Sequence, residues 1–179
     1  YNEALKGDAD CGGIVNYNYF SGEPVAHVQE GRPLFVRTQN SSFNLANFIR
    51  AQIYSAMATL KIGMDILEKE NVKIDCLMGH GGLFKTEYVG QRLMAGAMNT
   101  PVSVMETAGE GGAWGIAVLA AYAADSCKKT LEDYLNDKVF SNYKSKTVQP
   151  DEKDVSGFNQ YMELFRAGLS VQKSAAENI

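Results

Sequence analysis

The sequence is poor in cysteine and has no long hydrophobic run. Its three cysteines, Cys11, Cys76 and Cys127, are odd in number and widely spaced, which disfavours both a disulfide framework and a zinc site. No uninterrupted apolar stretch reaches the length of a bilayer crossing. The opening letters, YNEALKGDAD, also lack the pattern of a signal peptide. These features predict a soluble protein of the reduced, cytoplasmic compartment with no role at a membrane.

Positive charge is also scarce. The chain carries 17 lysines and arginines against 21 aspartates and glutamates, a formal net charge of −4, and it has no polybasic run. Nucleic acids and anionic membrane surfaces bind basic patches, so neither is expected as a main partner. The 45% hydrophobic and 21% charged content is typical of globular proteins, and 179 residues are enough for one core. We therefore expect a single domain over residues 1–179.

The most informative segment covers residues 72–101. An apolar run at residues 72–78 predicts a buried strand, the sequence Gly79-His80-Gly81-Gly82 interrupts it, and a helical pattern begins at about Tyr88. This order places backbone N–H groups and the positive end of a helix at one point, which suits a phosphate or the polar edge of a nucleotide. The alternative is an ordinary turn between a strand and a helix that binds nothing.

Hydrophobic periodicity and turn residues predict the other elements. Strands are expected at residues 14–20, 33–38 and 101–105. Helices are expected at residues 43–69, 113–124, 131–139 and 155–178. A mobile turn is expected at residues 107–112 and a polar connection at residues 144–154. The alternation of helices and strands around the glycine turn predicts adjacent parallel strands joined by helical crossovers. The small residues of the helix at 113–124 predict a close approach to a neighbouring element.

The long helix at residues 43–69 has two further expected features. Ser41 and Ser42 are candidates for its N-terminal cap, and Arg50 is expected on a solvated face. Its buried stripe is predicted to comprise Leu45, Phe48, Ile49, Ile53, Met57, Leu60, Met64 and Leu67.

Two charged groups elsewhere have simple interpretations. Glu23 and His27 are close in sequence, but no other ligand type is nearby, so a turn with an incidental histidine is favoured over a metal site. Asp151, Glu152 and Asp154 precede the last helix and are expected to complement its positive end.

One interpretation of the glycine turn is a dinucleotide-binding fold. Residues 79–84 supply the first two glycines of the GxGxxG pattern, but Phe84 occupies the position of the third. Glu106, after the next strand, is a candidate partner for the ribose hydroxyls. In that fold the motif usually opens the domain, whereas here a long helix precedes it.

A second interpretation follows from a family resemblance. The segment GGLFKT at residues 81–86, followed by MNTPV at residues 98–102, resembles the glycine loop, helix and "G-(R/K)-P-V" strand of FGGY-type carbohydrate kinases. The segment from Gly12-Gly13 to SGEP at residues 21–24 is similar to that family's "GGL…PYLSGER", and EGGAWGIA at residues 110–117 is similar to its "E…ALGAA" turn and helix. The resemblance covers residues 12–124 and is strongest to xylulokinase-like and ribulokinase-like members.

The resemblance implies an α/β fold of the ribonuclease H-like, actin/hexokinase type, with a mixed sheet and packed helices. It implies that this chain is the carboxy-terminal, ATP-binding half of a kinase that phosphorylates a pentulose or related sugar with ATP and Mg²⁺. The amino-terminal half, with the sugar site and the catalytic base, is expected to be absent, as are the family's phosphate loops. The isolated chain is therefore expected to be inactive.

Carried over to this sequence, the resemblance places Gly81 and Gly82 beside the adenosine, Leu83 in apolar contact with it, Thr86 facing the base, and Glu110 at the flank of the same pocket. It assigns no metal ligand to this chain. A non-catalytic, actin-like binding module is the alternative within the same fold, and homodimer formation is left open. Gly90, Gly96 and Asn99-Thr100 depart from the family pattern, which leaves the sugar unassigned.

Overall fold

The computed structural model describes residues 1–106, 108–125, 129–141 and 144–179. The described residues contain five strands: β1 Ile14–Tyr17, β2 Leu34–Arg37, β3 Leu77–Gly79, β4 Val102–Met105 and β5 Ser145–Val148. The same residues contain five α-helices: α1 Leu45–Lys69, α2 Val89–Met98, α3 Gly111–Ala124, α4 Leu131–Tyr134 and α5 Glu152–Asn178. A short π-helix, Leu135–Val139, continues α4. The predicted helices and most of the predicted strands are thus confirmed.

The strands form two sheets. β1 and β2 pair antiparallel, with Ile14 opposite Arg37. β4 is the central strand of a mixed sheet, where it pairs parallel with β3 and antiparallel with β5. The chain passes from β3 to β4 through α2, which confirms the predicted parallel pair with a helical crossover. The carboxyl ends of β3 and β4 therefore meet at one edge of the sheet.

The core lies where α1, α2 and α5 pack with β1. Its largest buried side chains are aromatic: Tyr17, Tyr54, Phe158, Tyr161 and Phe165. The Tyr54 and Phe158 rings meet edge to face at 4.8 Å, and the Tyr17 hydroxyl donates a hydrogen bond to the Phe165 carbonyl at 2.7 Å. Edge-to-face ring contacts of this kind stabilise a core beyond the area they bury.

Arg50 is buried, so its predicted solvated position is wrong. Its guanidinium donates to Asp154 Oδ1 at 2.6 Å, to the Tyr54 hydroxyl at 2.7 Å and to the Gly7 carbonyl at 3.2 Å. Arg92 donates to the other Asp154 oxygen at 2.7 Å. Asp154 thus joins α1, α2 and α5. The last helix begins at Glu152 rather than at Val155, so Asp154 lies in its first turn instead of before it, still at the positive end of the helix.

The cap and the stripe of α1 also differ from prediction. Asn44, rather than Ser41 or Ser42, is the N-cap, since its side chain accepts a hydrogen bond from the Asn47 N–H. Three members of the predicted stripe, Leu45, Leu60 and Leu67, are exposed. Tyr54, Ala51 and Ala58 are buried instead, because the core wraps the face of α1 that also carries Arg50.

Two strand predictions need correction. The run at residues 72–78 forms a strand only at its end, where β3 begins at Leu77, and Val72 is exposed. The polar connection at residues 144–154 contains β5, whose residues are mostly exposed. A solvent-facing edge strand has no apolar run to reveal it, which explains why periodicity missed it.

Gly112 and Gly115 of helix α3 show no close approach to a neighbour, whereas Gly111, its first residue, lies against His80. None of its 14 residues is buried, and a Cβ added at Gly112 or Gly115 would have no neighbour within 4 Å. The predicted tight packing is therefore wrong for this chain. The turn before α3 is a short 3₁₀ segment, Ala108–Glu110, while Thr107 lies outside the described residues.

The described cysteines occupy different environments. Cys11 is buried in the core, whereas Cys76 is exposed with its Sγ 3.2 Å from the Ser103 hydroxyl. Cys127 lies outside the described residues. Within the described ranges, no helix combines the length and apolar character that crossing a membrane requires.

Candidate functional site

The glycine turn follows β3 at the carboxyl edge of the mixed sheet. Gly81 has a φ of 97°, in the left-handed region that favours glycine, and the chain then forms a 3₁₀ turn over Gly82–Lys85. A Cβ added at Gly81 or Gly82 would meet nothing within 4 Å. Both glycines therefore border open space, where a bound molecule can approach the backbone closely.

A second loop lies against this turn. The Gly81 N–H donates to the Ala108 carbonyl at 2.8 Å, so the loop after β4 lies beside the loop after β3. Glu110 is in this second loop, immediately before α3. The structure thus brings Gly81, Gly82 and the backbone of Glu110 to the same edge of the sheet, while the Glu110 side chain lies outside the description.

Leu83 faces another part of the molecule. Its side chain is partly buried against the core, and a Cβ at Gly90 would lie 2.7 Å from its carbonyl oxygen. With Met94 and residues of α1 it lines an apolar cavity of about 380 Å³, whose lining includes neither Gly81 nor Gly82. Thr86 ends the 3₁₀ turn in extended conformation and is partly buried. Leu83 is thus oriented toward a cavity separate from the open space at Gly81 and Gly82.

The end of the turn is tied to β5 by an exposed ion pair. Glu87 accepts a hydrogen bond from the Lys146 ammonium, which lowers the pKa of Glu87 and raises that of Lys146. Behind this pair, the buried Gln91 amide donates to the Val102 carbonyl at 3.1 Å and to the Lys146 carbonyl at 2.8 Å. Sequence reasoning missed these residues, since a polar side chain inside a helix does not reveal which strand it contacts.

These two loops belong to a known domain. Residues 2–124 match the model of the C-terminal domain of the FGGY family of carbohydrate kinases, and the match spans more than half of the chain. The chain belongs to the FGGY family of carbohydrate kinases. Members of this family are phosphotransferases that use ATP, usually with Mg²⁺. Among curated protein sequences there is no significant match to this chain.

Solved structures show the same fold. Xylulose kinase from Rhodospirillum rubrum superposes with a TM-score of 0.68 at 16% identity, over 99% of this chain and 34% of that one. Gluconate kinase from Lactobacillus acidophilus superposes with a TM-score of 0.64 at 19% identity, over 99% of this chain and 34% of that one. Plasmodium falciparum glycerol kinase with ADP superposes with a TM-score of 0.63 at 16% identity, over 96% of this chain and 33% of that one.

These likenesses confirm the predicted α/β, ribonuclease H-like fold with a mixed sheet and packed helices. This FGGY chain spans about a third of the length of the kinases it matches. The dinucleotide-binding interpretation is wrong. Phe84, which occupies the third glycine position of that motif, lies over Gly79, where an added Cβ would be 2.6 Å from its ring.

The glycines that depart from the FGGY pattern have a structural explanation. A Cβ at Gly96 would lie 2.6 Å from the Asp154 Cβ, and one at Gly90 would lie 2.7 Å from the Leu83 carbonyl oxygen. Gly90 and Gly96 therefore allow α2 to pack closely against the glycine turn on one side and against α5 on the other. They serve the packing of this chain rather than its site.

Proposed function

We propose that this chain is the carboxy-terminal, ATP-binding part of a kinase that transfers the γ-phosphate of ATP to a hydroxyl of a sugar. Three observations support the proposal: the match to the C-terminal domain of a carbohydrate kinase family, the likeness to a glycerol kinase solved with ADP, and the open glycine turn. The likeness to xylulose kinase favours a pentulose as the substrate. A kinase of this kind would act in the cytoplasm, as the low cysteine content predicts.

The observation that carries the nucleotide site is the open space at Gly81 and Gly82. Ligands of open α/β sheets bind beyond the carboxyl ends of the strands, and this turn lies there with the Glu110 loop beside it. In the proposed site, the two glycines border the adenosine, Thr86 faces the base, and Glu110 flanks the pocket. Leu83 lines the separate cavity and is given no contact with the adenosine in this proposal.

The remaining parts of the reaction are assigned to the rest of a longer polypeptide. Within the described residues, no three His, Cys, Asp or Glu side chains converge as a metal site. Mg²⁺ would be held mainly by the phosphates, water and carboxylates from elsewhere. The sugar site and the catalytic base are proposed to lie in an amino-terminal half of that polypeptide. Phosphoryl transfer depends on positioning both substrates, so this part alone is not expected to catalyse it.

The site is tested by Gly82→Val in the full-length kinase that carries this chain. Because the new side chain enters open space, the fold should persist while the KM for ATP rises roughly tenfold or more and the KM for the sugar stays nearly constant. Gly63→Val in α1 is the control. Its added Cβ would have one neighbour within 4 Å, the Val25 Cγ1 at 3.9 Å, and it lies outside the proposed site. An unchanged KM for ATP in a stably folded Gly82→Val protein would refute the assignment.

A non-catalytic, actin-like binding module is the second candidate, because the ribonuclease H-like fold alone does not specify turnover. Sugar-dependent ADP release by the full-length polypeptide, measured with a panel of ketoses and polyols, separates the two. Turnover supports the kinase. ATP binding without turnover on any sugar supports the binding module.

A further inference from the structure

Two side chains of the glycine turn pack against Gly109 of the second loop and Gly111, the first residue of α3. A Cβ added at Gly111 would lie 3.0 Å from both the Cβ and the Nδ1 of His80. A Cβ added at Gly109 would lie 3.3 Å from the Lys85 Cγ. Together with the hydrogen bond from Gly81 to Ala108, these contacts hold the two loops together on both sides of Glu110.

The His80 contact is the more restrictive of the two. The Cβ of His80 is fixed by the backbone, so no rotation of the side chain can move it away from Gly111. The contact with Lys85 involves a flexible chain that can rotate away. The contact of the His80 Cβ with Gly111 therefore limits how closely the two loops can approach each other. The approach is possible because residue 111 has no side chain.

We propose that His80 is a positioning residue for the nucleotide, which acts as a spacer between the glycine turn and the loop that carries Glu110. This inference rests on the proposed nucleotide site. Gly81 and Gly82 directly follow His80, and Glu110 directly precedes Gly111. A change in the spacing between residues 80 and 111 therefore moves Gly81 and Gly82 relative to Glu110, which are the two sides of the proposed nucleotide site.

The proposal predicts a specific pattern in the full-length kinase. Gly111→Ala adds a second Cβ to the contact and moves Glu110 away from Gly81 and Gly82. The KM for ATP and the Kd for ADP should rise roughly tenfold, a loss comparable to one hydrogen-bonded contact, while kcat at saturating ATP changes little. The double variant His80→Gly, Gly111→Ala again has a single Cβ at this contact, now on residue 111 instead of residue 80. Most of the affinity for ATP and ADP that Gly111→Ala loses should therefore return.

The control is Gly115→Ala, one turn further along α3, where an added Cβ meets nothing within 4 Å. It should leave the KM for ATP unchanged. His80→Gly alone supplies a second test that introduces no clash: it removes the spacer and should also raise the KM for ATP with kcat retained. Melting curves of all variants show whether the fold is preserved.

The outcomes separate this inference from the proposed function. If the unmodified kinase binds ADP but both Gly111→Ala and His80→Gly bind it equally well, the positioning role is refuted and the nucleotide site stands. A loss that persists in the double variant also refutes the spacer, since it indicates general damage at residue 111. If the unmodified kinase binds no nucleotide, the proposed function fails and the inference with it.

Discussion

At the scale of single residues, Asp154 has the largest structural role. It is 2% exposed and accepts hydrogen bonds from Arg50 of α1 and Arg92 of α2. Burial acts to raise the pKa of Asp154, but the hydrogen bonds and charges of Arg50 and Arg92 outweigh it, so the pKa is lowered. The carboxylate is therefore ionised in the folded protein at neutral pH, and it is the ion-pair partner of both Arg50 and Arg92.

Removal of this charge should destabilise the protein strongly. Asp154→Asn leaves the buried Arg50 guanidinium without its counter-ion, and breaking a buried pair in this way typically costs about 3–5 kcal/mol. Urea unfolding monitored by circular dichroism measures the loss. Glu87→Gln breaks an exposed pair with Lys146 and serves as the matched control, for which only a small change is expected. A similar effect of both variants would contradict the proposed importance of burial.

The same carboxylate should make stability depend on pH in acid. Since the folded pKa of Asp154 lies below its unfolded value of about 3.9, its contribution is fully present above that value and is lost as the pH falls through the folded pKa. As the pH falls below about 4, the free energy of unfolding should decrease more steeply for the native chain than for Asp154→Asn. Parallel curves for the two proteins would show that other carboxylates cause the acid loss.

Arg50 shows why residue-scale prediction fails in a core. Its charge favours solvent, although it lies on the same face of α1 as Ile53, Tyr54 and Met57, which follow it by three, four and seven positions. The partner that makes burial tolerable, Asp154, lies 104 positions along the chain. Periodicity within one helix contains no information about such a partner, so the sequence predicted the helix correctly and the environment of this residue wrongly.

At the scale of elements, a glycine in α5 controls how closely that helix meets the amino-terminal segment. A Cβ at Gly157 would lie 2.4 Å from the carbonyl carbon of Ala9, which is backbone and cannot rotate away. Gly157→Ala should therefore destabilise the fold by roughly 1–3 kcal/mol. Gly63→Ala in α1, whose nearest neighbour is at 3.9 Å, should instead stabilise by up to about 1 kcal/mol. Thermal unfolding should show a lower melting temperature for Gly157→Ala and a higher one for Gly63→Ala than for the unmodified chain.

The elements that sequence reasoning located are those whose pattern is local. α1, α2 and α5 each show apolar residues at helical spacing, and β4 is a short apolar run that begins after Pro101. β5 was missed because Ser145, Lys146 and Thr147 face solvent, and only pairing with β4 makes them a strand. Residues 72–76 show the opposite error: their composition predicts a strand, but they have no strand to pair with and form no ladder.

At the scale of the whole molecule, α3 presents an unusual surface. It has no charged residue over 14 positions, yet Ile116 is 70% exposed and Leu119 is 49% exposed. A helix that is hydrophobic on all sides is normally buried, so this surface should bind apolar molecules. An environment-sensitive apolar dye should bind the chain, and Ile116→Lys with Leu119→Lys should remove most of its signal. Ile66→Lys, at an exposed position of α1, is the control; an equal loss there would contradict the role of α3.

The candidate site was predictable in outline from the family resemblance, which implies that Gly81, Gly82 and Glu110 border one pocket. The structure brings their backbones together because the parallel strands β3 and β4 end at the same edge of the sheet. The orientation of Leu83 toward the α1 cavity and the contact of His80 with Gly111 were not predictable. Both depend on how loops distant in sequence pack, which no local pattern encodes.

The affinity of the isolated chain for nucleotides tests how the site is divided over the whole kinase. If this part supplies mainly adenosine contacts, ATP, ADP and adenosine should bind it weakly and with affinities within about tenfold of one another. Each charge-assisted contact to phosphate is worth roughly 1.5–3 kcal/mol, so an intact phosphate site would separate ATP from adenosine by about tenfold or more per contact. Titration calorimetry at fixed Mg²⁺ measures the three affinities. A strong preference for ATP would mean that residues 80–85 bind phosphate, and the adenosine would then have to lie on the far side of the turn.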